Sequence, residues 1–334
     1  MIPNKSDFKA KNLTSPARQA HRLKLHHIEQ ATKIIDPVFL NTPQYRCEPL
    51  EQLLGCRLVI KVETLNPIRS FKGRGASYFV SRLPKDAVLV CASAGNLGQA
   101  MAYACRAKGI RIFVYASVTA NPLKIERMRS LGAEVRLCGE DFDAAKLAAR
   151  QFATENGFIL VEDSLEPATG EGAGTIGIEL LKWSEPFHAI LVALGNGALL
   201  TGIGRWVKAH APQTQMIGVA AAGAPAMAES WREGRVIEHP GINTIADGIG
   251  VRIPIPEVLE DMRDTVDDVV LVDDQSIIDA MKMLHQQLGL VAEPSGAVGL
   301  AAILNDRERF KDKLIAIVIC GGNLTIEQMH QWLK

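Results

Sequence analysis

The sequence predicts an α/β protein in which short buried parallel strands alternate with helices. Three observations carry this. Short, wholly apolar runs recur along the chain, as buried parallel strands require. Segments with apolar residues at helical spacing separate them. The alternation ends near residue 161 and restarts at residue 189 with no Pro- or Ser-rich linker, so two α/β layers pack directly together. In such sheets ligands bind at the carboxyl ends of the strands.

The elements follow in order. Leu58-Val59-Ile60-Lys61-Val62 reads as a strand, and so does Ala87-Val88-Leu89-Val90-Cys91. A helix is expected over 98–108, a strand over 111–115, a helix over 122–131 and a strand over 134–137. Residues 141–156 form a helix with Asp141 as its N-cap, because an Asp side chain can accept from the free amides of the first turn. A strand over 158–161 closes the first half. The second half reads as strand 189–194, helix 199–210, strand 216–219 and helix 224–232. Strand 269–272, helix 275–288 introduced by Asp273-Asp274, helix 294–304 and strand 314–319 complete it. No fixed-period repeat or low-complexity segment interrupts the pattern.

Composition narrows the function. The chain has 334 residues, 47% hydrophobic and 22% charged, enough for two domains. Lys plus Arg equals Asp plus Glu at 37 each, which gives no electrostatic reason to expect nucleic acid or an anionic membrane as partner. The most apolar stretch, 189–204, is broken by Gly195, Asn196 and Gly197 and is not read as a membrane span. Cysteines stand at 47, 56, 91, 105, 138 and 320 without a Cys-x-x-Cys pair, so no zinc site is expected, and five of the six read as buried free thiols of a reducing cytoplasm. The first 33 residues are richer in Lys, Arg and His than in acids. A transit peptide and a solvated helix are the two readings, and Asp7, Glu29 and the lack of serine-rich character favour the helix.

Three loops share a design. Ser93-Ala94-Gly95-Asn96-Leu97-Gly98 and Gly195-Asn196-Gly197-Ala198-Leu199 each follow a strand and open a helix, and Cys320-Gly321-Gly322-Asn323 follows the last strand. Small residues admit close approach of backbone N–H groups, and a helix N-terminus favours an anion. The same glycines also serve simple turns. The second loop lacks the Gly-Lys-Ser/Thr of a nucleotide P-loop, and its glycines miss the Gly-x-Gly-x-x-Gly spacing. A phosphorylated cofactor of another kind is therefore expected. Lys72 lies in Ser70-Phe71-Lys72-Gly73-Arg74-Gly75. Burial against Phe71 and the glycines is expected to favour its neutral, nucleophilic form. A Schiff-base lysine beside a separate phosphate loop is the minimal kit for pyridoxal 5'-phosphate.

Six ordered stretches then carry a resemblance: Ser-Phe-Lys-Gly-Arg-Gly, Ser-Ala-Gly-Asn, residues 195–199, Ala246-Asp247-Gly248-Ile249, Glu293-Pro294-Ser295-Gly296-Ala297 and Cys320-Gly321-Gly322-Asn323. From about residue 35 onward the chain resembles the fold-type II pyridoxal-phosphate enzymes, most of all the serine/threonine dehydratases (ammonia-lyases). The resemblance implies a tryptophan-synthase-β-like fold. Residues 1–60 and 170–334 would form a large cofactor-binding domain, and 61–169 a smaller α/β domain. Lys72 would carry the cofactor as a Schiff base, with Phe71 against it. Asn96 would bond the ring hydroxyl, and the amides of Gly195, Asn196, Gly197, Ala198 and Leu199 the phosphate. Ser93, Ala94, Gly95, Asn96 and Leu97 would receive the substrate carboxylate. Gly248 and Glu293 would border ring or substrate, and Cys320 would face the pyridine nitrogen. Asn96 as a helix cap, and Glu293 as a helix-start residue, remain alternative readings.

The implied reaction is β-elimination from a small β-hydroxy amino acid such as L-threonine or L-serine, giving a 2-oxo acid and ammonia, in a cytoplasmic homodimer. Replacement chemistry like that of threonine or cysteine synthases is the alternative, followed by a non-catalytic cofactor-binding protein. Relatives that racemise serine place a hydroxyl where this chain has Ala94, which speaks against two-base racemisation. Threonine dehydratases usually carry His after the loop asparagine, where Leu97 stands here. The cation-binding Gly-Val-Glu of some relatives is Gly218-Val219-Ala220-Ala221, so no metal is expected. With no regulatory extension after residue 334, feedback through such a domain is not expected either.

Overall fold

The computed structural model describes residues 21–334, so the basic residues before 21 lie outside the described residues. Ten strands are present among the described residues: β1 (Gln44–Arg46), β2 (Arg57–Val62), β3 (Val88–Ala92), β4 (Arg111–Ala116), β5 (Glu134–Leu137), β6 (Ile159–Val161), β7 (Ala189–Ala193), β8 (Gln215–Ala221), β9 (Asp268–Val272) and β10 (Leu314–Ile319). They form two sheets. The larger has the order β1-β2-β10-β7-β8-β9, and the smaller β5-β4-β3-β6. Every pairing is parallel except β1 with β2. Strand β2 keeps parallel register with β10 from Arg57 to Val62.

The inner strands of each sheet are covered on both faces, which is why they are continuously apolar rather than alternating, whereas the edge strands β1 and β5 carry polar, exposed residues. All five residues of β7 and all six of β10 are buried. One core cluster surrounds the larger sheet, while the smaller has a separate cluster on each face. Helix Phe142–Asn156 starts where expected, and Asp274–Leu288 starts one residue before the expected 275. Asp141 accepts from the Ala144 N–H and Asp273 from the Ser276 N–H, both at 2.8 Å.

The pattern of alternation missed two glycine-rich helices, Lys72–Ser81 and Pro167–Leu180. Almost every side chain of each is buried, so neither has the polar face that marks an amphipathic helix. Their glycines are contact points: a Cβ on Gly75 would lie 2.5 Å from the Thr169 carbonyl oxygen, and one on Gly172 2.6 Å from the Gly75 Cα. Close helix crossing thus outweighs the roughly 1 kcal/mol that glycine costs a helix interior. The N-terminal helix is Leu25–Ile34, and it is not fully solvated, because Ile28 and Ala31 are buried.

Candidate active site

The site collects at the carboxyl ends of strands from both sheets. Beyond β10, Cys320–Gly322 is stitched to the lysine loop. The Phe71 N–H donates to the Cys320 carbonyl (3.0 Å), the Gly322 N–H to the Arg69 carbonyl (3.0 Å), and the Glu293 N–H to the Gly321 carbonyl (3.0 Å). Lys72 opens its helix directly after this knot. Its Nζ lies 4.9 Å from the Phe71 ring centroid and 2.6 Å from Asp163 Oδ2. Lys72 is half-buried and paired rather than sealed among apolar groups, which corrects the expectation that burial alone would tune it. Asp163 follows β6, where the sequence offered no motif. Its position just beyond a strand's carboxyl end was the signal available.

The Ser93–Gly98 turn sits beyond β3. Ser93 Oγ accepts from the N–H of Gly95 (3.2 Å) and of Gly98 (3.0 Å), so it shapes the turn while its own O–H stays free to donate. Asn96 is the first helical residue, but its side chain caps nothing. Its Nδ2 donates to Glu293 Oε1 at 2.6 Å, and its Oδ1 accepts from Asn323 Nδ2 at 2.8 Å. Glu293 is the N-cap residue of helix Pro294–Asn305, as the helix-start reading has it, but its carboxyl makes no cap bond. Its Oε2 accepts from the Asn323 N–H at 3.1 Å. Burial pushes the Glu293 carboxyl above the usual carboxylate range; the Lys124 charge offsets part of this, and Asp247 adds to it. Gly321 makes room for that carboxyl, since a Cβ there would lie 2.0 Å from Glu293 Oε1.

Beyond β7, residues Gly195–Leu199 turn into helix Ala198–His210, with Gly197 at φ +95°, a conformation that favours glycine. The Ala198 N–H already donates to Ser164 Oγ at 3.1 Å. Asp163 and Ser164 therefore tie the lysine to the Gly195–Leu199 turn, and neither belongs to a sequence motif. Gly248 faces Ser295, whose Oγ would lie 2.6 Å from a Cβ at that position. Cys320 Sγ donates to the Ser295 carbonyl at 3.4 Å. Burial, with a smaller contribution from Glu293, pushes its thiol up, so it is neutral. Leu97, with Phe71, Lys72, Ala76, Asp163 and Thr169, lines a cleft beside the lysine.

Does this arrangement fit a phosphorylated pyridine aldehyde? Ser295 Oγ and Asp163 Oδ1 are buried and have no hydrogen-bond partner among the described residues. Such groups are rare in a finished core and common where a ligand completes the bonding. An amine, a glycine-built turn at a helix N-terminus and a neutral thiol are the donors such a cofactor needs, and the residues fit it.

A reactive amine and glycine turns at the strand ends of two parallel sheets define a cofactor-dependent α/β enzyme. Residues 35–321 match the family model described as pyridoxal-phosphate dependent enzyme. The L-threonine ammonia-lyase of Thermotoga maritima is 34% identical over 310 residues, 92% of this chain and 77% of that protein. The catabolic L-threonine dehydratase TdcB of Staphylococcus aureus is 32% identical over 95% of this chain and 93% of its own length. Maize serine racemase superposes with a TM-score of 0.87 at 30% identity, covering 92% of this chain and 96% of that one. The chain belongs to the fold-type II pyridoxal-phosphate dependent enzymes, in the serine/threonine dehydratase group, and its cofactor is pyridoxal 5'-phosphate.

Proposed function

We propose that the chain is an ammonia-lyase that converts L-threonine to 2-oxobutanoate and ammonia, with L-serine giving pyruvate as a second substrate. The observation that supports it is the meeting of Lys72, Asn96 and Cys320, which come from three separate motifs, around one knot of backbone bonds. Bound pyridoxal phosphate supplies the electron sink that lets charge leave the substrate α-carbon. Lys72 Nζ takes the α-proton and Asp163 holds the ammonium so formed; the β-hydroxyl leaves, a net loss of one water, which is taken up again when the released enamine hydrolyses to the 2-oxo acid and ammonia. The Ser93 hydroxyl and the free amides at the start of helix Asn96–Lys108 bind the substrate carboxylate. The turn Gly195–Leu199 holds the phosphate once Ser164 Oγ gives up the Ala198 amide. Gly248 and Glu293 border the ring. A neutral Cys320 would face the ring nitrogen and would give a weaker sink than a carboxylate, which suits elimination better than transamination.

Leu97 replaces a polar neighbour with an apolar one, which favours a β-substituent that carries carbon. Residues 1–60 with 170–334, and 61–169, are taken as the two units flanking this site, in a cytoplasmic homodimer. Light scattering tests the dimer. The visible spectrum of the cofactor-loaded protein, before and after L-threonine and L-serine and with 2-oxo acid assayed, tests the reaction. A substrate-dependent shift with accumulating 2-oxobutanoate supports it. A stable shift without oxo acid would assign replacement chemistry. Absence of any cofactor band would overturn the reading.

A further inference from the structure

Arg127 lies outside every motif noted in the sequence, yet its side chain reaches the site. It belongs to helix Pro122–Ser130, which packs on the smaller sheet's side of the cleft. Its Nη1 donates to Asn323 Oδ1 at 2.7 Å. Asn323 is 3% exposed and uses its whole amide: Nδ2 donates to the Ile68 carbonyl (2.8 Å) and to Asn96 Oδ1 (2.8 Å). Asn96 Nδ2 then donates to Glu293 Oε1. The four side chains form one directed chain, Arg127 to Asn323 to Asn96 to Glu293.

Direction matters because an amide has two chemically opposite ends. A guanidinium can only donate, so the atom facing Arg127 must be the Asn323 oxygen. That sends Asn323 Nδ2 toward Asn96, which must answer with its own oxygen and send its Nδ2 toward Glu293. One hydrogen of that Nδ2 is then left for a second acceptor. Lys124, one turn earlier on the same helix, holds Asp247 at 2.7 Å and anchors the helix across the cleft.

We propose that Arg127 is a positioning residue that, together with the Ile68 carbonyl, fixes the amide polarity of Asn323 and Asn96, so that Asn96 presents a donor to the hydroxyl oxygen of the bound pyridine ring. This rests on the reading that Asn96 faces the ring. It also makes the orientation of Asn96 depend on contact between the two halves of the cleft, since the Arg127–Asn323 bond crosses it.

The test compares Arg127→Lys, which keeps a donor-only group, with Arg127→Met, which keeps bulk without a donor, and Arg127→Glu, which puts an acceptor against the Asn323 oxygen. Pyridoxal phosphate affinity is measured by titrating the apoprotein, and ring orientation by visible circular dichroism. We expect affinity within about twofold of the parent for Arg127→Lys, about fivefold weaker for Arg127→Met, and more than about tenfold weaker for Arg127→Glu, matching the loss and then the reversal of one charge-assisted hydrogen bond. The dichroic band should fall in the same order, while the apoprotein still unfolds cooperatively with a lower melting temperature in the Met and Glu variants, because the buried Asn323 Oδ1 loses its bond from Arg127. Equal behaviour of Lys and Met variants, or unchanged dichroism in the Glu variant, would overturn the proposal with the cofactor reading intact. Failure of the parent protein to bind the cofactor would overturn both.

Discussion

Two buried charged clusters flank Lys72 and follow opposite rules. Below its helix, Arg74 is fully buried and donates to both oxygens of Glu63 (2.8 Å each) and of Glu179 (2.7 and 2.9 Å), as well as to Thr42 and Thr175. Lys61 completes the set on Glu179 Oε2 (2.5 Å) and the Thr42 carbonyl (2.7 Å). Two cations face two carboxylates. Above the helix, Glu293 has only neutral donors in direct contact, Ser295 Oγ and Asp163 Oδ1 have no partner among the described residues, and Lys124 is bonded to Asp247 instead. The two glutamates record the contrast. Burial raises both, but at Glu179 the bonds and charge of Arg74, with Lys61, outweigh it and bring the carboxyl down to about 2. At Glu293 burial prevails and the carboxyl stays raised. A saturated cluster can only hold a fold together, whereas an unsaturated one is ready for a ligand.

The contrast can be broken from either side. Replacing Lys72 by Ala should remove about 10³- to 10⁴-fold of activity, or ~4–5.5 kcal/mol of barrier, as loss of the proton-transfer base predicts. The Lys72–Asp163 pair is largely buried, with side chains 16% and 19% exposed, so the apoprotein should lose about 1–3 kcal/mol as Asp163 loses its partner, less than the loss at Arg74. A low-activity variant that also unfolds would place Lys72 in the scaffold instead. Arg74→Met should do the reverse. It leaves two buried carboxylates short of a cation and should cost ~3–5 kcal/mol in urea unfolding.

Acid should sharpen the difference between the glutamates. Glu179 is depressed in the folded state, so its stabilisation is present above the unfolded carboxylate pKa and is lost as pH falls toward 2. The contribution is about 3 kcal/mol, removed between about pH 5 and pH 2. Glu293 has the opposite sign: its raised carboxyl costs stability at neutral pH and relieves that cost on protonation. Urea midpoints across this range should therefore fall in the parent and fall less in Glu179→Gln. Equal slopes would remove Glu179 from the account. The smallest effect is expected at Gly321→Ala, whose Cβ would meet the Glu293 carboxyl. Shifting that group should cost about 1–3 kcal/mol and weaken cofactor binding more than it lowers the apoprotein melting point.

Much of the fold was legible because most strands and helices carry local signals. The strand at 134–137 and the Asp141 and Asp273 caps required only neighbouring residues. The short antiparallel β1 and the helix Glu48–Leu54 escaped notice, being too brief for a period to emerge. The candidate site divides in the same way. Lys72 and the turns at 93–98, 195–199 and 320–323 announce themselves as short runs of lysine, asparagine and small residues. Asp163 and Arg127 do not, because each is a single common residue whose meaning lies in a partner 91 or 196 positions away.

The sequence by itself determined the alternation of strands and helices, the loops at the strand ends and the lysine they would serve, since turn chemistry and hydrophobic period are properties of neighbouring residues. Only the tertiary structure decided which charges neutralise one another and which polar atoms are left over. Those depend on burial and on contacts between distant segments. In this protein they make Arg74 part of the scaffold while Lys72, two residues earlier, faces the cleft.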